Sequence, residues 1–183
     1  MMALTVMDRK KMKFIDIPQF TDAGHYRTDV SFDDVPRFIA RWEKEHSLEI
    51  NPDFQRGHVW QTDQKIAFVE YALAGGRVQD FLFNHPAWMN FRKGRGHLVL
   101  VDGLQRLTAI TDFLENKIPA YGHCFCDYTD KLPYSRYSFS FRVNALKTRK
   151  EVLNWYIEIN SGGTPHTVAE LNKVRNLLVE EEK

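Results

Sequence analysis

The sequence predicts an α+β domain, and three observations support that class. Apolar residues recur at helical spacing in several segments, short β-prone segments lie between them, and turn residues separate the two kinds of element. A chain of 183 residues can bury roughly 70% of its unfolded surface in one domain. We therefore expect an irregular arm over residues 1–30 and a single domain over residues 31–183.

Two helices separated by a polar loop are predicted in the N-terminal half. Ser31 is the predicted N-cap of the first helix, because Asp34 follows it at the spacing of a capping box. Thr62 is the predicted N-cap of the second helix, and Gly75 and Gly76 are predicted to end it, since glycine favours a left-handed stop. The positions expected in the core are Val35, Phe38, Ile39 and Trp42 in the first helix and Ile66, Val69 and Leu73 in the second.

Strands and helices are both predicted in the C-terminal half. A strand runs through Asp102 and Gly103 directly into a helix. Two later β-prone segments, each flanked by turn residues, predict a hairpin. The predicted elements are strands over 78–83 and 97–101, a helix after Asp102, hairpin segments over 118–126 and 137–143, and helices over 150–159 and from 164 or 167 onward.

The charge balance argues against a dedicated duplex-DNA binder. The formal net charge is +1 and the isoelectric point is about 7.8, whereas such binders usually carry a strong basic excess. DNA is therefore permitted as a partner but not indicated. The two cysteines give no disulfide framework, and the sequence has neither a secretory signal nor an apolar stretch of membrane-spanning length. We expect a cytoplasmic protein with no membrane association.

The turn from the predicted strand into the helix after Asp102 is the candidate active site. The first backbone N–H groups of a helix have no partner within it, and the positive end of its dipole lies at the same point. Arg106 adds a guanidinium there, and the apolar positions of the helix leave both Gln105 and Arg106 expected to point away from the core. The pattern predicts a phosphate site formed by Asp102, Gly103, Gln105 and Arg106.

A purely structural interpretation of this turn stays open, with Asp102 as N-cap, Gly103 relieving the turn and Arg106 on the surface. Against it, a cation in a first helical turn is unfavourable by ~0.3–1 kcal/mol unless an anion offsets it. With phosphate bound, Asp102 would cap the helix, accept a ribose hydroxyl or hold Mg²⁺ between itself and the phosphate oxygens. The Gly-x-x-x-x-Gly-Lys pattern of a Walker loop is absent from the sequence.

A second candidate segment is the polar loop that contains Gln55, Arg56 and His58. Two arginines beside one helix N-terminus would clamp a phosphate. His58 would serve as an acid or base or would orient water. The alternative is a surface loop pinned by Phe54 and Trp60.

A third candidate segment is the polar turn between the last two predicted helices, which contains Asn160, Gly162 and Gly163. Its functional interpretation is a nest of backbone N–H groups that closes over a ligand. Its structural interpretation is a helix C-cap followed by the start of the next helix. The two interpretations are compatible.

Three ordered segments of the sequence resemble a known family. They are Phe-Gln-Arg with Val-Trp in residues 54–60, Val-Asp-Gly-Leu-Gln-Arg-Leu-Thr in residues 101–108, and Ile-Asn-Ser-Gly-Gly-Thr-Pro in residues 159–165. In order and spacing they resemble the family found at the N-terminus of GmrSD type IV restriction enzymes, which belongs to the ParB/sulfiredoxin-like superfamily. The resemblance covers about residues 32–180 and implies a small mixed β-sheet packed with helices.

The resemblance also implies a function. In the family, an Asp-Gly-Gln-Gln-Arg motif binds nucleotide phosphates and, in some defence proteins, supports hydrolysis of a nucleoside triphosphate (NTP) coupled to a nuclease. Leu104 stands where that motif has its first glutamine, which bears on hydrolysis more than on binding. The implied site residues are Asp102, Gly103, Gln105 and Arg106, with Gln55 and Arg56 upstream and Asn160, Gly162 and Gly163 downstream.

The functional hypothesis is a nucleotide-phosphate-binding domain, extended to a weak Mg²⁺-dependent NTPase, in DNA restriction, phage defence or its counteraction. The HNH nuclease domain common in the restriction enzymes has no counterpart in the sequence, so we expect a separately encoded nuclease or defence protein as partner. The catalytic candidates are Asp102, Gln105, Arg106 and His58, with Asp102 as the metal ligand. Two alternatives stay open: a ParB-like DNA-binding or nuclease domain, and a non-catalytic protein-interaction domain.

Overall fold

The structure is a computed structural model that describes Lys13 and residues 26–88, 97–132, 137–161 and 168–181. Two short 3₁₀ turns, Phe32–Asp34 and Phe125–Asp127, lie between its strands and helices. The strands are β1 (Tyr26–Ser31), β2 (Phe81–Asn84), β3 (Val99–Asp102) and β4 (Ser138–Asn144). The helices are α1 (Val35–His46), α2 (Thr62–Leu73), α3 (Leu104–Leu114), α4 (Arg149–Ser161) and α5 (Val168–Glu180).

The four strands form one mixed sheet in the order β1-β4-β2-β3. β4 pairs antiparallel with β1 and parallel with β2, and β2 pairs antiparallel with β3. The predicted α+β class with a small mixed sheet is therefore confirmed. The predicted late hairpin is wrong, because residues 118–126 form only a bridge between Ala120 and His123 and a 3₁₀ turn. β4 instead lies between two strands, where its alternating apolar side chains are buried.

Helices cover both faces of the sheet and create two apolar clusters. The larger cluster joins one face of the sheet to α1, α2 and α3, and its strand residues include Phe81, Phe83, Phe139 and Phe141. The smaller cluster packs α4 and α5 against the other face and includes Val101, Leu153 and Val174. Among the residues that the structure describes, no helix is both long and apolar enough to cross a membrane.

The predicted core face of α1 is confirmed, but its first residue differs from the prediction. Ser31 is the last residue of β1 and pairs with Ser138, so it is not the N-cap of the helix. A 3₁₀ turn follows, and α1 begins at Val35. The predicted core residues Val35, Phe38, Ile39 and Trp42 are all buried.

The second helix follows its prediction closely. α2 begins at Thr62, and its N-cap is Gln61, in a capping box with Gln64, rather than the predicted Thr62. Val69 is fully buried, and Ile66 and Leu73 pack against the larger cluster. Gly75 follows the helix with a positive φ of 84°, the conformation expected of a glycine stop.

The junction of β3 and α3 depends on Gly103. Its φ of 112° lies in a region that L side chains rarely adopt, and its backbone carbonyl accepts a hydrogen bond from the N–H of Leu107 at 2.8 Å. A Cβ atom at this position would lie 2.6 Å from Cδ1 of Phe81 in the core. Gly103 is therefore the N-cap of α3, whereas Asp102, predicted as a candidate cap, is the last residue of β3.

We expect Gly103→Ala to lower the free energy of unfolding by about 3 kcal/mol, because it adds backbone strain to overpacking against Phe81. Gly57→Ala is the matched control, since Gly57 also has a positive φ but has nothing within 4 Å of its Cβ position. Its cost is expected to be about 1 kcal/mol. Urea denaturation measures both, and equal losses would contradict the steric role given to Gly103.

Candidate functional site

A cavity of about 540 Å³ lies where β3 turns into α3. Three segments that are distant in sequence meet there: the loop after Phe54, the start of α3 and the end of α4. The predicted residues that line this cavity are Gln55, Arg56, Asp102, Gly103, Gln105, Arg106 and Asn160. We call it the first cavity. Gly162 and Gly163, also predicted, lie outside the described residues.

Gln105 fixes the loop that forms one wall of the first cavity. Its side-chain oxygen accepts hydrogen bonds from the N–H groups of Val59 at 3.0 Å and Trp60 at 3.1 Å. Its side-chain nitrogen donates to the carbonyl of Gly57. Gln105 points away from the apolar core, as the sequence predicts, but the docked loop buries it, which the sequence does not predict. Gln105 is thus a positioning residue for the loop.

Gln55 anchors the other end of the same loop. Its buried side-chain nitrogen donates to the carbonyls of Leu100 at 3.0 Å and Val101 at 3.1 Å. These carbonyls belong to β3, which lies at the edge of the sheet and would otherwise leave polar backbone groups without a strand partner. Arg56, the next residue, is consequently held at the cavity wall between two fixed points.

Arg106 is bound by acceptors within the protein. Its Nη2 donates to Oδ2 of Asp102 at 2.6 Å, and its Nη1 donates to the carbonyls of Gln79 and Asp80. The guanidinium also lies 5.0 Å from the centre of the Phe81 ring, and the side chain is only 12% exposed. The cation at the start of α3 is therefore offset by Asp102, a pairing that sequence reasoning did not anticipate.

Two opposing effects act on the pKa of Arg106. Burial lowers the pKa from its usual value, and this is the larger effect. The charge of Asp102, its hydrogen bond and the charge of Asp80 act in the opposite direction. An arginine stays protonated in proteins, so the pair with Asp102 is an ion pair at neutral pH.

Arg56 differs from Arg106 in its surroundings. It is half-buried at the cavity wall, and no ion pair or hydrogen bond joins its side chain to another residue in the described ranges. The two acidic lining residues already have cations: Asp102 pairs with Arg106, and Oδ2 of Asp80 lies 2.5 Å from Nε of Arg142. The charge of Arg56 is thus the one left without a described partner, which favours an anion in the cavity.

His58 does not line the first cavity. Its Nδ1 lies 3.1 Å from the hydroxyl oxygen of Thr108, one turn along α3, and that hydroxyl donates to the carbonyl of Leu104 at 2.9 Å. His58 is exposed. Its contact joins the loop that Gln105 fixes to α3.

Several lining residues were missed by sequence reasoning as site residues, among them Gln79, Asp80 and Tyr156. Gln79 and Asp80 precede β2 and act partly through backbone carbonyls, which leave no signal in a sequence. Tyr156 is a buried residue of α4, and a buried aromatic residue of a helix is typical of a core position rather than of a site. Asn160 follows one turn later, and its side-chain nitrogen donates to the carbonyl of Tyr156 at 2.7 Å.

A comparison with known protein families matches residues 41–142, more than half of the chain, to the family described as GmrSD restriction endonuclease, N-terminal domain. The chain belongs to this GmrSD N-terminal domain family. The matched range includes the whole Asp102–Arg106 motif and the Gln55–Arg56 loop, while Asn160 lies beyond it. Membership links the chain to restriction or phage defence. Comparisons with curated proteins and with solved structures found no match.

We expect Gln105→Ala to lower the free energy of unfolding by about 1–3 kcal/mol, because it leaves two backbone N–H groups and a carbonyl without their partner. Gln79→Ala is the matched control, since Gln79 is an exposed lining residue whose side chain has no hydrogen bond to a described residue. It should change stability by less than about 0.5 kcal/mol. Amide exchange at Val59 and Trp60 should accelerate in Gln105→Ala alone, and unchanged exchange would contradict the positioning role.

We expect Asp102 and Arg106 to be strongly coupled. In the wild type, Asp102→Ala should lower the free energy of unfolding by about 1.5–3 kcal/mol. In the Arg106→Ala background, the same substitution should cost less, by roughly 1 kcal/mol or more. The control cycle uses Asp34 and Arg37, an ion pair at 3.1 Å in which the arginine side chain is 88% exposed. Its coupling should stay below about 0.5 kcal/mol. Denaturation measures both cycles, and similar coupling energies would contradict the claim that the Asp102–Arg106 pair is more strongly coupled than the exposed pair.

Proposed function

We propose that the first cavity binds the phosphate groups of a nucleotide and that the chain does so as part of a restriction or phage-defence system. The observation that carries this proposal is Arg56, a guanidinium without a described partner beside the N-terminus of α3. A cavity of about 540 Å³ is within the roughly 300–1,000 Å³ usual for small-molecule sites. The family membership independently favours a defence function.

Each lining residue has a role in this proposal. Arg56 contacts the phosphate directly, and the first N–H groups of α3 donate to it. Arg106, whose charge is offset by Asp102, holds the cavity wall in place without having to be ordered on binding. Trp60 and Asn160 supply an aromatic surface and a polar group on other walls of the cavity.

A magnesium site composed of protein groups alone is not supported by the described residues. They contain no group of three or more His, Cys, Asp or Glu side chains placed to hold a metal ion. Asp102, the predicted metal ligand, has one carboxylate oxygen in the ion pair with Arg106. Mg²⁺ would therefore enter with the triphosphate, which supplies oxygen ligands of its own, and Asp102 would add at most a single contact.

The arrangement supports binding more strongly than hydrolysis. Hydrolysis of an NTP requires a group that orients or activates water. The side-chain amides of Gln55 and Gln105 are engaged in fixing the loop, and His58 lies outside the cavity lining. We accordingly propose nucleotide binding as the function of the domain, with a nuclease or another defence protein as the partner that responds to it.

We expect Arg56→Ala to weaken nucleotide binding at least about tenfold, because a charge-assisted contact contributes roughly 1.5–3 kcal/mol. Isothermal titration with ATP, GTP, CTP and UTP, with and without Mg²⁺, measures the effect, and phosphate release is assayed for each nucleotide that binds. Arg56→Lys should lose less, since it keeps the charge but not the planar donor fork. Arg37→Ala, on an exposed part of α1, is the control and should bind as the wild type does.

The result that would overturn the proposal is specific. Nucleotide binding with equal affinity in the wild type and in Arg56→Ala would place the ligand elsewhere. The absence of binding for all four nucleotides, with the protein shown to be folded by its denaturation curve, would also overturn it.

A further inference from the structure

A second cavity, of about 520 Å³, adjoins the first along the sheet. Leu82 lines both cavities. Asp80, in the wall of the first cavity, forms its ion pair with Arg142, which lines the second. The two cavities are therefore neighbours, separated by one leucine side chain and one ion pair.

Arginine and aromatic side chains together line the second cavity. Arg27 and Arg142 are register partners in β1 and β4, so both side chains leave the same face of the sheet. They are 59% and 53% exposed, and the carboxylate nearest to Arg27, that of Asp29, lies at 3.6 Å. Trp155 supplies an aromatic ring on the wall, whereas the ring of Tyr26 lies 5.2 Å from that of Trp88 on the opposite face of the sheet.

This combination is the chemistry by which proteins hold single nucleotide units. Aromatic rings stack on bases, arginine contacts the phosphodiester backbone, and the two kinds of side chain alternate along the site. Each of the two facing arginines has one carboxylate neighbour, Asp29 or Asp80, and is more than half exposed, so each keeps further N–H donors for a phosphate. Asn144, at the same cavity, adds a side-chain amide able to hydrogen-bond a base or a sugar.

We propose that the second cavity binds the next nucleotide of a phosphodiester-linked ligand whose first nucleotide occupies the first cavity. This inference rests on the proposed nucleotide-binding function. Trp155 stacks on the second base, and Arg27 and Arg142 contact the linking phosphate or the one that follows it. Asp80 holds Arg142 at the boundary between the two nucleotides.

The test compares an NTP with a dinucleotide that carries the same base and the same 5′-triphosphate. Isothermal titration on the full chain should show the dinucleotide binding about tenfold more tightly, as expected for one added base stack. Arg27→Ala should remove most of that advantage and leave NTP affinity unchanged. Trp155→Leu keeps an apolar side chain against the smaller cluster and should also remove most of the affinity advantage of the dinucleotide. If the dinucleotide, but not the NTP, quenches tryptophan fluorescence, this variant should lose that quenching. Arg37→Ala is the control, and it should keep the full affinity advantage of the dinucleotide over the NTP.

The outcomes separate the two proposals. If the NTP binds but the dinucleotide binds no more tightly, or if Arg27→Ala and Trp155→Leu keep the full advantage, the second cavity is not a nucleotide site and the proposed function stands. If neither ligand binds, both proposals fall. A longer single strand that gains further affinity over the dinucleotide would identify a nucleic-acid strand, rather than a free dinucleotide, as the source of this ligand.

Discussion

The start of α3 is the constraint on which the rest of this structure depends. Gly103 allows the chain to turn from β3 into α3 against the ring of Phe81. From the first helical turn, Gln105 then reaches the 57–60 loop, while Arg106 reaches Asp102 and the chain before β2. One helix terminus thereby fixes two walls of the first cavity, and it does so with hydrogen bonds whose loss would leave buried polar groups without partners.

The same arrangement determines the electrostatics of the first cavity. A cation in the first turn of a helix is unfavourable by itself, and here Asp102 offsets the charge of Arg106. The protein therefore keeps Arg106 in place without a ligand, and its buried guanidinium shapes the wall. Arg56 has no such partner among the described residues, and Gln55 and Gln105 fix the loop on both sides of it. A site in which the structural arginine and the ligand-binding arginine are different residues needs little reordering when it binds an anion.

Sequence reasoning predicted those features that depend on local patterns. The buried face of α1, the bounds of α2 and the glycine between β3 and α3 follow from spacing and backbone preference. Sequence reasoning failed where the structure depends on pairing between segments that are distant in sequence. Serine is a typical N-cap residue, but Ser31 pairs with β4, which lies more than a hundred residues later, and is therefore a strand residue. β4 likewise pairs with β1 and β2, both distant from it in sequence, which no hairpin pattern can indicate.

The site shows the same division between local and distant effects. Three motifs in order predicted seven lining residues of the first cavity, because a family pattern carries information on residues that meet in space. The burial of Gln105 could not be predicted, since a helical wheel records polarity but not the loop that docks on the helix. The pairing of Asp102 with Arg106 joins a strand to a helix, so the rule for pairs within one helix does not cover it.

The most direct test of the central claim is a crystal structure of the chain with a non-hydrolysable NTP analogue. The account predicts phosphate density in the first cavity within hydrogen-bond distance of the Arg56 guanidinium and of the first N–H groups of α3, with the Asp102–Arg106 ion pair retained. Phosphates bound outside this cavity, or bound within it by an Arg106 that has left Asp102 while Arg56 makes no contact, would contradict the account.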